Sequence, residues 1–248
     1  MNDSPLIKIV NLTKYYINPA GKKVKVLDGI TMDVREEFMA ILGPSGCGKS
    51  TLLRIMAGVE KFDEGKIVYG GDKKPRIGFV FQFPTLLPWM TVLGNVMLPL
   101  LAEHVPEEEA RERARRALAL VGLEEFADFY PGELSGGMKQ RVNFARALSI
   151  DPTILLMDEP FSNLDPLTAE ALRNELIDLW LSNVTRVRAI VMVTHNVEEA
   201  VMMADRIVIL SPRPARIVSM VDVKLPRPRN RRSEEIQKLV DQVYGLVS

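Results

Sequence analysis

The sequence predicts an α/β fold, and two patterns along the chain carry that prediction. Short apolar runs recur without polar alternation, which is typical of strands buried on both faces of a mostly parallel sheet. Stretches with helical spacing of apolar residues lie between these runs, and strands that alternate with helices indicate an α/β fold. The predicted strands are Ile7–Val10, Phe38–Leu42, Ile77–Phe81, Ile154–Met157, Ala189–Val193 and Ile207–Leu210.

The helical patterns and the tail complete the predicted layout of a single domain, residues 1–248. The clearest helices are Glu107–Val121, Thr168–Leu181 and Val197–Ala204. Residues 83–150 contain helix signals without a convincing strand, so we expect a helical subdomain inserted into an α/β core of about residues 1–82 and 151–225. A basic linker and a last helix, Glu234–Leu246 with Ser233 as its N-cap, fill residues 226–248.

Composition narrows the classes of protein that the chain can belong to. Its 248 residues are 47% hydrophobic and 26% charged, which is ordinary for a folded globular protein. The 32 basic and 32 acidic residues cancel, so a nucleic-acid partner is not expected. No apolar run approaches the roughly 20 residues that span a bilayer. The single cysteine, Cys47, cannot form an internal disulfide, and this predicts a reducing, intracellular setting.

The tail is rich in arginine, and two interpretations of it remain open. Prolines at 226 and 228 oppose a helix there, so we expect extended chain. The side chains of Arg227, Arg229, Arg231 and Arg232 would each gain about 1 kcal/mol beside an anionic lipid surface. A linker whose arginines are solvated is the favoured interpretation.

A glycine-rich loop between a predicted strand and a predicted helix indicates a phosphate site. It fits the pattern G-x-x-x-x-G-K-[ST] at every fixed position, and the flanking strand and helix supply the required context. Glycines let successive N–H groups point at phosphate oxygens, and the helix N-terminus adds its positive dipole end. We expect Lys49 to bind the β- and γ-phosphates and the Ser50 hydroxyl to ligate Mg²⁺. The loop is Gly43-Pro44-Ser45-Gly46-Cys47-Gly48-Lys49-Ser50.

Cys47 lies inside this loop and has two interpretations. A small side chain tolerated in a tight loop is favoured over a catalytic thiol. The neighbouring helix N-terminus and Lys49 nevertheless predict a lowered thiol pKa and a reactive cysteine when nucleotide is absent.

Two adjacent acids end the apolar run Ile154–Met157. Asp158 at the strand end suits Mg²⁺, and Glu159 points the other way, where it is able to hold the water that attacks the γ-phosphate. A second anion-ready helix start precedes them, where Ser135, Gly136 and Gly137 stand before a predicted helix, Met138–Leu148. One nucleotide does not need two γ-phosphate sites from one chain.

These residues resemble the ATP-binding-cassette (ABC) ATPases. Leu134-Ser135-Gly136-Gly137-Met138-Lys139-Gln140-Arg141 is similar to the family's signature motif and precedes Asp158-Glu159, as the family order requires. The resemblance implies a RecA-like P-loop core with an N-terminal antiparallel β portion, and an enzyme that hydrolyses ATP with Mg²⁺. It also implies an ATP-dependent head-to-tail dimer, in which the signature of each copy completes the ATP site of the other.

The resemblance assigns roles to further residues in chain order. It implies that Tyr16 stacks on adenine, with Tyr15 as the open alternative, and that Thr51 belongs to the nucleotide site. Gln82 resembles the Q-loop glutamine that contacts Mg²⁺ and water, and His195 resembles the switch histidine near the γ-phosphate. Ser162-Asn163-Leu164-Asp165 resembles the D-loop, where most members have alanine at the position of Asn163, and the resemblance implies that Asp165 belongs to the nucleotide site.

Four local matches indicate one branch of the family, the import ATPases for nitrate, sulfonates and taurine. The signature methionine Met138 is the first, and we expect it to face solvent or the partner. The others are Leu86-Leu87-Pro88-Trp89, Ser211-Pro212-Arg213-Pro214-Ala215-Arg216-Ile217 and Leu225-Pro226-Arg227-Pro228-Arg229. Apolar residues after Gln82 are able to line a groove for a permease helix or to pack the helical subdomain internally. They are Phe83, Leu86, Leu87, Trp89, Met90, Met97 and Leu98.

The branch implies an ATPase subunit that works as a homodimer beneath two integral membrane permease subunits. It implies a cytoplasmic location, peripheral on the inner face of the cell membrane, and an indirect link to an extracytoplasmic solute-binding protein. The alternative is an ABC ATPase of translation or DNA repair, but the paired cassettes, coiled-coil insertions or basic extensions usual in that class are missing from the sequence.

Overall fold

The computed structural model describes residues 5–71, 74–182 and 184–247. No helix in that part of the chain is both long and apolar enough to cross a lipid bilayer. The elements in chain order are β1 (Ile7–Ile17), β2 (Lys23–Val34), β3 (Phe38–Leu42), α1 (Lys49–Ala57), β4 (Glu64–Tyr69), β5 (Ile77–Val80), α2 (Val92–Ala102), α3 (Glu107–Leu120), α4 (Gly136–Leu148), β6 (Ile154–Asp158), α5 (Pro166–Ser182), β7 (Ala189–Thr194), α6 (Val197–Met203), β8 (Arg206–Leu210), β9 (Ile217–Asp222) and α7 (Glu234–Val247).

The chain divides into two compact units, which we describe separately. Unit 1 comprises Met1–Pro75 and Arg188–Ser248, and unit 2 comprises Arg76–Val187. The predicted α/β fold is confirmed, because strands and helices alternate through most of the chain. The boundaries predicted for an α/β core and an inserted helical subdomain stay a prediction.

Unit 1 contains two kinds of sheet. β1 pairs antiparallel with β2 and with β4, which gives the antiparallel portion that the resemblance implied. β3 instead pairs parallel with β7 and β8, and β9 adds to β8 in the antiparallel direction. Every residue of β3 and β7 is buried, and burial of each large apolar side chain contributes about 1.5–3 kcal/mol. The carboxyl ends of β3 and β7 are therefore rigid supports for the residues that follow them.

Unit 2 combines a parallel strand pair with a helical cluster. β5 and β6 pair in parallel, and β6 is buried along its whole length. α2, α3 and α4 pack around a shared apolar core that includes Val96, Leu118 and Val142. Met138 is partly buried against this core. Our expectation that Met138 faces solvent or a partner is therefore only partly right, because part of its unbranched side chain packs against the helical core.

Three strands were not predicted from the sequence, and β1 is longer than predicted. β2, β4 and β9 have no continuous apolar run, because each leaves part of its surface in water. The start of β2, Lys23-Val24-Lys25-Val26, does alternate polar and apolar residues, and that period of two was a usable signal. β4 is mostly exposed and offers no comparable pattern.

The basic tail contradicts the favoured interpretation of a solvated linker. The Arg229 side chain is 1% exposed, and its guanidinium donates to the carbonyl oxygens of Val201 (2.8 Å) and Ala204 (2.6 Å) at the end of α6. Arg227 donates to the carbonyl oxygen of Met203 and pairs with Asp205. Helix C-termini present unsatisfied carbonyls and a negative dipole end, so two buried arginines suit this place. Burial, together with the Arg227 charge, lowers the pKa of Arg229 to about 10.

We expect Arg229→Gln to lower the free energy of unfolding by about 2 kcal/mol, since several buried carbonyl oxygens lose their donors. Urea denaturation followed by circular dichroism measures the change. Arg232→Gln is the matched control, because Arg232 is exposed and its replacement is expected to leave stability unchanged. An Arg229 variant as stable as the Arg232 variant would contradict a structural role for the tail.

Candidate functional site

The phosphate loop joins β3 to α1 in unit 1. Gly46 and Gly48 have φ of 70° and 127°, conformations that side chains strongly disfavour. A Cβ on Gly48 would lie 2.9 Å from side-chain atoms of both Val26 and Leu27 on β2, so only glycine fits there. The exposed apex at Ser45 and Gly46 leaves the loop open on one side. Such a loop, followed at once by a helix start, is built to bind an anion.

Lys49 crosses the mouth of this loop. It is 4% exposed, and its Nζ donates to the carbonyl oxygens of Gly43 (2.8 Å) and Pro44 (3.0 Å). α1 begins at Lys49, so Ser50 and Thr51 lie in its first turn. A positive charge and a helix N-terminus therefore act on the same small volume.

The thiol of Cys47 is buried, which contradicts the predicted reactive cysteine. Only 2% of the residue is exposed. Burial raises the thiol pKa, and this effect exceeds the opposing influence of Lys49. Cys47 is therefore a small side chain that fills the underside of the loop.

We expect Cys47 to react with iodoacetamide at pH 8 at least about tenfold more slowly than free cysteine. The thiolate is the reactive form, and both the raised pKa and the burial oppose it. Because the chain has one cysteine, mass spectrometry of the intact protein follows the reaction directly. The same protein in urea is the control and should react at the ordinary rate. Alkylation of the folded protein as fast as that of free cysteine would contradict the assignment.

Tyr16 and Tyr15 lie in different surroundings. The hydroxyl of Tyr16 donates to Glu60 and lies 3.4 Å from the Oγ1 of Thr51, beside the phosphate loop. Burial raises the pKa of Tyr16, and the Glu60 hydrogen bond adds to that effect. The Tyr15 ring lies under the ammonium groups of Lys23 and Lys25, and the Tyr16 ring lies 5.1 Å from the Lys14 ammonium, so the position beside Thr51 is what distinguishes Tyr16. This geometry favours Tyr16 as the aromatic beside the nucleotide.

His195 occupies the turn between β7 and α6. Its neighbours hold that turn in place. Thr194 Oγ1 donates to Glu199 (2.5 Å) and accepts from the N–H of Asn196 (3.0 Å). Asn196 then caps α6 by accepting from the N–H of Glu199. His195 is exposed in this turn.

The two acids of unit 2 stand at the end of β6. Asp158 is the last residue of the strand and is 5% exposed. Glu159 has φ of 44°, a left-handed backbone that costs a non-glycine residue roughly 1–3 kcal/mol. The carbonyl of Glu159 accepts from the N–H and the hydroxyl of Ser162, which fixes the turn. Strain of this kind is concentrated at functional sites.

Gln82 is tied to the predicted D-loop within unit 2. The side-chain Nε2 of Gln82 donates to Ser162 Oγ (3.3 Å), and the main-chain carbonyl of Gln82 accepts from Asn163 Nδ2 (3.2 Å). The hydrogen bond from Asn163 to Gln82 needs the asparagine that replaces the usual alanine.

Asp165 caps α5 by accepting from the N–H of Thr168, and hydrogen bonds from the Thr168 hydroxyl and backbone lower the pKa of Asp165. The nucleotide role assigned to Asp165 stays a prediction.

The signature residues form the start of α4. The helix begins at Gly136, two residues before the predicted start at Met138. Ser135 caps the helix, with Oγ accepting from the N–H of Met138 (3.2 Å). A Cβ on Gly137 would lie 2.5 Å from Thr168 Cγ2, so glycine permits this close packing, whereas Gly136 faces open space. The helix start is thus accessible to an anion on the Gly136 side.

Sequence reasoning missed a polar face of α4 that holds the Q-loop. Gln140 donates to the carbonyls of Pro160 and Phe81, and Asn143 donates to the same carbonyl of Phe81. Arg146 donates to the carbonyls at 84 and 85. The spacing of three residues between these polar side chains places them on one face of the helix, and this was a signal for such contacts.

Comparisons with known proteins agree with this geometry. A model of the ABC transporter family matches residues 27–162. An uncharacterised ABC transporter ATP-binding protein of Methanocaldococcus jannaschii is 48% identical over 97% of this chain and 91% of its own length. An aliphatic sulfonates import ATP-binding protein of Bacillus cereus is 38% identical over 96% of this chain and 94% of its own length. A taurine import ATP-binding protein of Rhizobium johnstonii is 41% identical, with coverages of 90% and 86%.

A solved structure supports the same assignment at the level of the fold. A dimeric ATP-binding cassette in a post-hydrolysis state, bound to ADP and Pi, superposes with a TM-score of 0.75. It is 33% identical, and the match covers 89% of this chain and all of that one. Fold and phosphate loop together define a P-loop nucleoside triphosphatase. More particularly, the chain belongs to the ABC transporter family, as an ATP-binding subunit that hydrolyses ATP to drive transport.

Proposed function

We propose that the chain energises an importer that takes up a small solute through a separate membrane permease. The observation that carries this proposal is a pair of exposed aromatic residues within the short segment that follows Gln82. Phe83 and Trp89 are 60% and 72% exposed. Large apolar side chains left in water mark interaction surfaces, and a helix of a membrane protein is the occupant that we assign to this one. Met97 is buried and Leu86 is partly buried in the unit 2 core, so we do not assign these two residues to the permease contact.

We assign the nucleotide contacts of unit 1 as follows. Lys49 binds the β- and γ-phosphates, and the N–H groups of residues 46–51 surround them. Tyr16 stacks on adenine, and its hydrogen bond to Glu60 restrains the ring. His195 contacts the γ-phosphate from the turn after β7. Buried Lys49 and the helix start at the same loop support these assignments.

The acids of unit 2 receive different tasks. Glu159 polarises the water that attacks the γ-phosphate, because a carboxylate on a fixed turn is able to accept its proton. Mg²⁺, when bound, neutralises charge that develops on the phosphate oxygens. The residues that we assign to hold it are Ser50, Asp158 and Gln82. Hydroxyl, carboxylate and amide oxygens are hard ligands of the type that Mg²⁺ takes alongside phosphates and water.

We further propose an ATP-dependent, head-to-tail homodimer. Ser135, Gly136 and Gly137 form a second anion-ready helix start, and one nucleotide carries one γ-phosphate. The dimeric neighbour with bound ADP and Pi supports a pairing of two cassettes. In the dimer, the signature of each copy binds the γ-phosphate held by the other.

The solute that we assign is small and carries a compact oxyanion group, as nitrate, sulfonates and taurine do. Relatives named for aliphatic sulfonates and for taurine support this class. The proposed assembly has two copies of this chain on the cytoplasmic face of the membrane, two permease subunits, and a solute-binding protein on the other side. No nucleic acid takes part in it.

Affinity purification from detergent-solubilised membranes tests the partner. The tagged chain should recover an integral membrane permease, and the double variant Phe83→Ser/Trp89→Ser should lose it while ATP hydrolysis by the isolated subunit persists. Val59→Ser is the matched control, because Val59 is 76% exposed and lies in unit 1. Recovery of ribosomes or DNA-repair proteins without a permease would contradict the proposal.

Reconstitution tests the solute class. The recovered complex, placed in liposomes with its binding protein, should hydrolyse ATP faster when nitrate, taurine or an alkanesulfonate is added. Stimulation by a sugar or peptide alone would overturn the solute class and leave the transport function standing.

A further inference from the structure

The loop between β8 and β9 is fastened to β2 in unit 1. The backbone N–H of Ala215 donates to the carbonyl of Val26 (2.8 Å), and the N–H of Asp28 donates to the carbonyl of Ala215 (3.0 Å). Ala215 is fully buried. Val26 and its neighbour Leu27 are also the residues that crowd Gly48. The loop at 211–216 and the phosphate loop are thus held against the same short stretch of β2.

Arg213 extends from this loop to the apex of the phosphate loop. Its Nη2 donates to the carbonyl oxygen of Gly46 at 2.6 Å. A charged donor makes such a hydrogen bond roughly twice as strong as a neutral one. Gly46 has a left-handed backbone and no neighbour on its Cβ side, so the Arg213 hydrogen bond approaches an open part of the loop.

The hydrogen bond from Arg213 sets the orientation of the peptide group between Gly46 and Cys47. In a trans peptide the C=O and N–H groups point in opposite directions. A carbonyl of Gly46 held outward by Arg213 therefore keeps the N–H of Cys47 turned toward the inside of the loop. That N–H makes a long hydrogen bond of 3.3 Å to the carbonyl of Pro44, which a phosphate oxygen is able to replace.

We propose that Arg213 is a positioning residue for nucleotide binding, which fixes the peptide between Gly46 and Cys47 so that its N–H faces the β-phosphate. The proposal rests on the phosphate-loop assignment above. It gives a task to the Ser211–Ile217 motif, which the transport function leaves unexplained. Arg213 does not touch the reacting atoms, so it affects binding rather than the chemical step.

Arg213→Met tests the proposal, because it keeps the length of the side chain and removes its charge and N–H groups. We expect the KM for ATP to rise about tenfold, equal to about 1.4 kcal/mol, with kcat within about twofold of the wild type. Isothermal titration should show the same loss for ADP, since ADP retains the β-phosphate. Arg213→Lys retains a charged donor and should recover at least half of the lost binding energy.

Arg216→Met is the matched control. Arg216 lies in the same loop and is exposed, as Arg213 is, but it pairs with Asp28 instead of the phosphate loop. Its replacement removes the same charge and should leave KM unchanged. Equal losses in the two variants would indicate net charge alone and would overturn the proposal. Lys49→Ala distinguishes failure of this proposal from failure of the phosphate-loop assignment. If Lys49→Ala loses nucleotide binding and Arg213→Met does not, the role proposed for Arg213 is wrong and the phosphate-loop assignment is retained.

Discussion

Replacing Glu159 by glutamine is expected to slow ATP hydrolysis about a hundredfold to ten-thousandfold, the range that a general base contributes. Glutamine has the same size and accepts the same left-handed backbone, but it carries no negative charge to draw a proton from water. ATP should still bind, because the phosphate loop is untouched. Release of phosphate from purified protein measures the turnover, and fluorescence of a labelled nucleotide measures the binding.

Two further variants sharpen this test. Glu124→Gln removes an exposed acid elsewhere in unit 2 and should retain the wild-type rate. Asp158→Asn should weaken binding of ATP in the presence of Mg²⁺ more than in its absence, because Asp158 is assigned to the metal. A Glu159 variant with the wild-type rate would show that another group activates the water.

Lys49→Ala is expected to abolish hydrolysis for a different reason. The Lys49 ammonium crosses the phosphate loop and is held there by the carbonyls of Gly43 and Pro44. Alanine removes that charge from the β- and γ-phosphates, so affinity for ATP and turnover should fall together.

Lys22→Ala provides the control for the charge change. Lys22 is exposed in the turn between β1 and β2, and its loss should leave hydrolysis unaltered. Thermal melting of both variants separates a loss of function from unfolding. Unchanged ATP hydrolysis by folded Lys49→Ala protein would contradict the phosphate-loop assignment.

Features with local signals were predictable from the sequence. The loop 43–50 needs glycines with left-handed backbone and a following helix, and both requirements are visible in the residues themselves. The end of β6 at Asp158 and the capping of α4 by Ser135 also follow from short patterns, an apolar run and a serine before a helix. Such features depend on few residues, all of them close in the chain.

Features that depend on distant contacts were not predictable in the same way. The burial of Arg229 requires the carbonyls of α6 to lie opposite the tail, and no property of the tail alone indicates this. The contact between Arg213 and Gly46 spans 167 positions in the chain. Cys47 was misjudged because its charged neighbours are visible in the sequence, whereas its burial beneath the loop is not.

The proposed dimer rests on the claim that two copies of this chain bind each ATP together, and the mass of the ATP-bound protein in solution tests that claim. Light scattering coupled to size exclusion gives the mass of Glu159→Gln protein with saturating ATP and Mg²⁺. We predict about twice the 27.8 kDa of one chain, because uncleaved ATP holds the two copies together. Adding Ser135→Arg should return the mass to that of one chain, since the arginine fills the space for the facing phosphate. A Glu159→Gln protein that stays monomeric with ATP, or a dimer that Ser135→Arg leaves intact, would contradict the claim.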